Sequence, residues 1–192
     1  MDHHVAHVTR VCCGKLREIG FIRKLITQEV AQILVQSLVI SCLDYGNGNL
    51  CGIRETLLDK LQRIQNAGAR IILGYRKYDN ISEGMMKLHW LPIRFRILFK
   101  IATITYKVLS TNQPVYLRNL LEICQSQRSL RSNTGIVLKV PKSKLKTAGD
   151  RAFRVAAPKI WNDIPKSVKA SPSIAVFKTL LKRIILDWRI ST

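Results

Sequence analysis

Apolar residues return every three or four positions over most of this chain, and that period admits few structures other than packed helices. Val5, Val8, Cys12, Leu16 and Ile19 share one face of a first helix, which Gly20 is expected to end. Thr27 is a suitable N-cap for a second helix over 28–43. Its apolar residues (Val30, Ile33, Leu34, Val35, Leu38, Val39 and Ile40) occur nearly all round, which predicts deep burial. The run 44–49, rich in Gly and Asn, reads as a turn. A long helix over 54–73 comes next, with the stripe Leu57, Leu61, Ile64, Gly68 and Ile71, closed by Gly74. Ser82 is expected to cap a short helix that ends near Trp90. Pro92 opens another helix over 92–109, whose core face is Ile97, Ile101, Ile104 and Val108.

Beyond a break at Gln113-Pro114, residues 115–123 form a short amphipathic helix, and from Gln125 the character changes. Ile136–Val140 alternates weakly, as a short strand would, within a loop rich in Ser, Asn, Gly and Thr. A short helix after Pro158 carries Ile160 and Trp161, and Pro165 and Pro172 frame a linker. The last helix, about 173–188, has Ile174, Phe177, Leu181, Ile184 and Trp188 in one stripe, with Ser171 or Ser173 as its cap. The expected fold is mainly α: a bundle-like helical body (1–123), a basic arm with a short strand and helix (124–170), and a C-terminal helix (171–192).

The 192 residues are 47% hydrophobic, enough for a packed core rather than disorder. Charge is the unusual quantity: 32 Lys+Arg stand against 12 Asp+Glu, a formal +20. Such an excess repels itself in a compact state, so its reason lies outside the fold. Nucleic acid is the commonest polyanion that would answer it, and an acidic membrane surface is the weaker reading. On the long helix, Lys60, Arg63 and Arg70 fall within about 80° of one another. Arg96, Lys100 and Lys107 share a second helical face. The loop Tyr75-Arg76-Lys77-Tyr78 mixes cations with rings that suit stacking on unpaired bases. The arm is the densest patch. Between Ile123 and Trp161, Arg128, Arg131, Lys139, Lys142, Lys144, Lys146, Arg151, Arg154 and Lys159 meet only Asp150. All of these except Lys139 are taken as phosphate-contact candidates. For each helix the competing reading is an ordinary solvated face.

The pieces of a catalytic site are not evident, so the expectation is a binding protein rather than an enzyme. The acids are scattered rather than paired for metal-assisted phosphoryl transfer. Neither a P-loop nor a GxSxG elbow occurs. His89, beside Leu88 and Trp90, reads as structural. His3, His4, His7, Cys12 and Cys13 lack the spacing of a zinc finger, so neither metal nor cofactor is expected. Five cysteines without a CxxC pair suit free, mostly buried thiols in a reducing compartment. The N-terminus does not read as a signal peptide, and the longest apolar run (33–43) is too short to cross a bilayer. An intracellular, nuclear or cytoplasmic, protein with no membrane partner is expected.

Several landmarks combine into something more specific. They are Leu43-Asp44-Tyr45, Leu61-Gln62-Arg63-Ile64-Gln65-Asn66-Ala67, Arg76-Lys77-Tyr78-Asp79 and Leu88-His89-Trp90-Leu91-Pro92. Further on come Arg128-Ser129-Leu130-Arg131-Ser132, Ala156-Ala157-Pro158, Trp161-Asn162 and Ile164-Pro165. In order and spacing the chain, from about Val8 to Leu186, resembles the region downstream of the catalytic palm in non-LTR (LINE-type) retrotransposon reverse transcriptase polyproteins. The resemblance implies a C-terminal fragment whose thumb-like helices and C-terminal extension hold RNA or DNA. The endonuclease and the palm with its metal-binding aspartates would then precede Met1, and the palm would be a further partner. The family often has Cys where Gly46 stands and Ala where Gly68 stands, and drift of that kind suits a decayed copy. Two other readings stay open: a helical piece that only docks on the palm, and a translated remnant without function.

Overall fold

The computed structural model describes residues 1–124, 136–143 and 149–190, and the side chains of all of these but 187–190. The described chain is mainly helical, as its apolar period requires. It divides into two compact units, Met1–Arg96 and Ile97–Thr192.

In the first unit, helix α1 (Asp2–Ile22) buries Val5, Val8, Cys12, Leu16 and Ile19, the expected face. It runs on past Gly20, which no neighbouring group crowds, and closes only in a 3-10 turn, Arg23–Leu25. Thr27 caps α2 (Gln28–Val35), accepting the Val30 N–H at 3.3 Å. A π-helical turn, Gln36–Ile40, then joins α2 to α3 (Ser41–Asp44). The buried residues here are Ala31, Val35, Val39, Ile40 and Leu43, in steps of about four. Steps of four advance about 40° each around an ideal α-helix, and the wider i→i+5 turn takes up the surplus residue. The expected all-round burial is corrected by this geometry. Val30, Ile33 and Leu38 stay 42%, 64% and 38% exposed, because only one stripe of the helix faces its neighbours.

Helix α4 (Glu55–Leu73) packs against both α1 and α2. Its buried residues are Leu57, Leu61, Ile64, Gln65, Gly68, Ala69 and Ile72, so Ile72 rather than Ile71 closes the stripe. Gly68 permits the approach: a Cβ there would sit 2.9 Å from Val35 Cγ1. Gly74, at φ 68°, ends α4 in the left-handed region that glycine occupies at little cost. Arg23 reaches over the same end and donates to the Ile71 and Ile72 carbonyls at 2.7 and 3.0 Å. A cation there complements the negative end of the helix.

Helix α5 (Ile81–Lys87) is capped by Asn80, not Ser82; the Asn80 carboxamide accepts the Ser82 N–H. It ends in a Schellman turn, with Trp90 N–H to Met85 O and His89 N–H to Met86 O, both at 2.9 Å. His89 holds the left-handed position, φ 53°. A glutamine bracket fixes the chain just beyond this turn. Gln65, fully buried on α4, donates to Leu91 O at 2.9 Å, and Gln62 accepts the Ile93 N–H at 2.9 Å. That contact caps α6 (Ile93–Thr111). Two landmarks far apart in the chain therefore form one hydrogen-bonded device.

The second unit does not follow the change in composition at Gln125. Its core joins the rest of α6 to α8 (Phe153–Asp163), α9 (Lys166–Lys169) and α10 (Ile174–Ile190). Phe177 of α10 is fully buried and stacks on Tyr106 at 4.3 Å and on Trp161 at 6.2 Å between ring centroids. Arm and C-terminal helix, expected as separate segments, share this aromatic core. Helix α7 is only the turn Val115–Arg118, shorter than the expected amphipathic helix. Helix α8 begins well before Pro158 and carries it in mid-helix, and α9 occupies the stretch expected as a linker. Ser173, rather than Ser171, accepts the Val176 N–H at the start of α10.

The segment 136–140 makes one isolated antiparallel bridge, Ile123 to Leu138, rather than a regular strand. Asn162 supplies the missing neighbour. Its carboxamide accepts the Leu138 N–H at 3.0 Å and donates to Leu138 O at 2.8 Å. Trp161 Nε1 donates to Ile136 O at 2.9 Å.

Candidate nucleic-acid interface

The two units carry very different charge. Met1–Arg96 holds 14 Lys+Arg against 8 Asp+Glu, a net +6; Ile97–Thr192 holds 18 against 4, a net +14. Most of the excess thus belongs to the second unit, though both have the same length.

In the first unit, Lys60 and Arg63 are exposed on α4 and form no ion pair among the described residues. Arg70 is half-buried, and its Nε is enclosed. Arg96 is corrected: its guanidinium grips both carboxylate oxygens of Asp44, with only 19% of its side chain exposed. Asn47 donates to the same carboxylate at 3.2 Å. A bidentate pair of this kind occupies the guanidinium fork that a phosphate would need, so Arg96 anchors the 44–47 turn.

The two tyrosines of the 75–78 loop separate. The Tyr75 ring lies against Gly84, where a Cβ would come within 3.0 Å of it. Its hydroxyl accepts a hydrogen bond from Lys87 at 3.1 Å, and that ammonium also stands 5.8 Å from the ring centroid. Glu83 and the Tyr75 hydroxyl raise the Lys87 pKa. Tyr75 is thus held by packing. Tyr78 is 91% exposed, with Lys77 at 5.7 Å from its ring, and it has an open face for a base. Arg76 is exposed, and its backbone N–H is held by the Asp79 carboxylate, which shapes the loop.

In the second unit, Lys100 and Lys107 are exposed on α6, and Lys142 is exposed beyond the bridge; none meets a carboxylate among the described residues. Arg154 lies 3.7 Å from Glu122, and Lys159 lies 3.4 Å from Asp150. Both pairs are solvent-exposed, so they hold their cations weakly and leave them open to exchange for phosphate. Glu122 lies just outside the basic stretch and also pairs with Lys139 at 3.0 Å, so Asp150 is not the arm's sole opponent. The Lys139 hydrogen bond leads the lowering of the Glu122 pKa. Arg151 is half-buried with its Nε enclosed. Arg128, Arg131, Lys144 and Lys146 lie outside the described residues. Sequence reasoning passed over Lys178 and Lys182 on α10. Their i,i+4 spacing places both on one face, flanking the buried Phe177–Leu181–Ile185 stripe, and is the signal that finds them.

No disulfide joins Cys12, Cys13, Cys42, Cys51 or Cys124. Only Cys12 is fully buried, not most of them; burial, with Cys42 beside it, pushes its thiol up to about 12. No group of His, Cys, Asp and Glu suited to a metal occurs among the described residues. No described helix is long and apolar enough to cross a membrane. No family model, curated protein or solved structure matches this chain.

Proposed function

We propose that the chain binds RNA or DNA through the second unit, as a non-catalytic C-terminal piece of a retrotransposon-type reverse transcriptase. The charge partition carries this reading: a unit of net +14 with 4 acidic residues exposes Lys100, Lys107 and Lys142 without carboxylate partners among the described residues. Counterion release at such cations makes binding weaken steeply with salt. Six or more phosphate contacts correspond to an affinity loss of about 10³ between 50 and 200 mM salt. Titration of the folded chain against single-stranded RNA, hairpin RNA and duplex DNA over that range tests the proposal. Charge reversal at Lys100, Lys107 and Lys142 is expected to flatten the slope. Salt-insensitive or undetectable binding by folded protein refutes it.

A second reading, docking on another protein such as the palm, is favoured by one observation in the first unit. Leu25, Val30 and Ile33 are 84%, 42% and 64% exposed, and residues 25–53 contain neither Lys nor Arg. Exposed apolar surface without cations suits protein rather than phosphate. Salt-insensitive self-association or aggregation, relieved by Ile33→Lys, would support it.

A further inference from the structure

The second unit contains a cleft that the electrostatic reading does not use. Its volume is about 210 Å³, and Tyr106, Leu109, Ser110, Ile136, Trp161 and Lys169 line it. Pockets for whole cofactors or drug-sized ligands span about 300–1,000 Å³. This cleft takes a single planar ring, not a dinucleotide.

Its chemistry is mixed in a particular way. The floor is rigid, because Tyr106 and Trp161 both stack on the buried Phe177 ring. Leu109 and the 43% exposed Ile136 supply apolar walls. Trp161 spends its only donor on Ile136 O, which holds that wall in place.

The one charged group is Lys169, which is half-buried. Its ammonium stands 5.6 Å from the Trp161 ring centroid and donates to Asn162 O at 3.2 Å. It has no carboxylate within ion-pair distance among the described residues. Burial lowers its pKa, more than nearby Asp163 offsets. A partly buried cation without an anion is costly, and an anion at the cleft mouth removes that cost. An apolar slot for one ring beside an under-compensated cation matches one nucleotide: a base in the slot and its phosphate on the ammonium.

We infer that this cleft accepts one unstacked nucleobase of a single strand, with Lys169 holding the adjoining phosphate. The inference rests on the proposed nucleic-acid binding and sharpens it, because a duplex keeps its bases stacked and cannot fill the slot. Ser110 marks the helix edge of the cleft and Lys107 lies one turn before it, so a strand approaching along α6 meets an exposed cation first.

The test compares oligothymidylate, an abasic strand with the same number of phosphates, and duplex DNA, all with the full chain at 50 mM salt. The natural strand is expected to bind about 10-fold more tightly than the abasic one, the scale of one base–protein contact. Lys169→Gln should reduce that preference, and Ser110→Trp should abolish it by filling the slot from an exposed helical position. Ser110→Trp should leave duplex binding unchanged, with circular dichroism confirming the helices of both variants. Equal, salt-steep binding of natural and abasic strands would overturn the cleft while leaving the electrostatic reading intact. Full preference retained in folded Ser110→Trp would also overturn it. Absence of binding to every strand would overturn both readings.

Discussion

Asn162→Ala tests how the basic segment after residue 135 is held to the second unit. Asn162 pairs with both backbone groups of Leu138, at 3.0 and 2.8 Å. Leu138 is 1% exposed, so water is poorly placed to replace either bond. Each lost bond costs about 1 kcal/mol net, and more where the abandoned group stays buried. The substitution should therefore weaken the local attachment by about 2 kcal/mol. Three hydrogen bonds to the segment's backbone remain, Trp161 to Ile136 O and the bridge bonds Cys124 N–H to Val137 O and Lys139 N–H to Glu122 O, beside the Lys139–Glu122 ion pair. The segment should thus open more often without the unit unfolding. Hydrogen exchange followed by mass spectrometry is the assay. A change of about 2 kcal/mol corresponds to about 30-fold faster exchange over 136–140, with α10 little affected. Asn162→Asp is the control for geometry against charge. It keeps the acceptor for the Leu138 N–H but sets a carboxylate oxygen where the donor met Leu138 O, so it should be at least as damaging. Unchanged protection over 136–140 in both variants would refute the claim that Asn162 stands in for a neighbouring strand.

Three further outcomes are expected. Gly68→Ala should destabilise the first unit by about 1 kcal/mol in chemical denaturation, because overlap with Val35 costs about 1–3 kcal/mol and outweighs the helix-propensity gain of about 1 kcal/mol. In a Val35→Ala background the same change should become stabilising, and failure to reverse sign would dismiss the close approach as its cause. His89→Gly should raise the thermal midpoint through about 0.5–1 kcal/mol, since it relieves a non-glycine left-handed residue with an exposed side chain; a lowered midpoint would mean the imidazole has a structural role. Glu122 has a folded pKa below its unfolded one, so its contribution is present above about pH 4.3 and lost as pH falls through the folded value. Exchange protection at the Ile123–Leu138 bridge should fall in that window, and Glu122→Gln should remove the dependence.

The landmark motifs acquire a physical meaning that does not depend on any relative. Gln62 and Gln65 hold Leu91 and Ile93, Asp44 holds Arg96, and Asn162 holds Leu138. Each pairs residues at least 24 positions apart. Polar residues in such brackets specify one arrangement of helices, because any other leaves buried donors unmet. That accounts for polar side chains standing where a pure apolar stripe would pack as well.

The chain's own pattern determined that it is helical, where most helices lie and, for α1, which face is buried. Those properties derive from local period, caps and breakers, as at Val5–Ile19, Thr27 and Gly74. It also determined the formal net charge of +20. Tertiary structure alone decided which cations are available. Arg96 and Lys100 are one turn apart on α6, yet the first is gripped by Asp44 and the second is exposed. Tyr75 and Tyr78 share a loop, yet only the second keeps an open face. Periodicity places a side chain on a side of its own helix, whereas its partner comes from a distant part of the chain. The same limit hid the 210 Å³ cleft, whose walls come from α6, residue 136, α8 and α9 and meet only when the aromatic core closes.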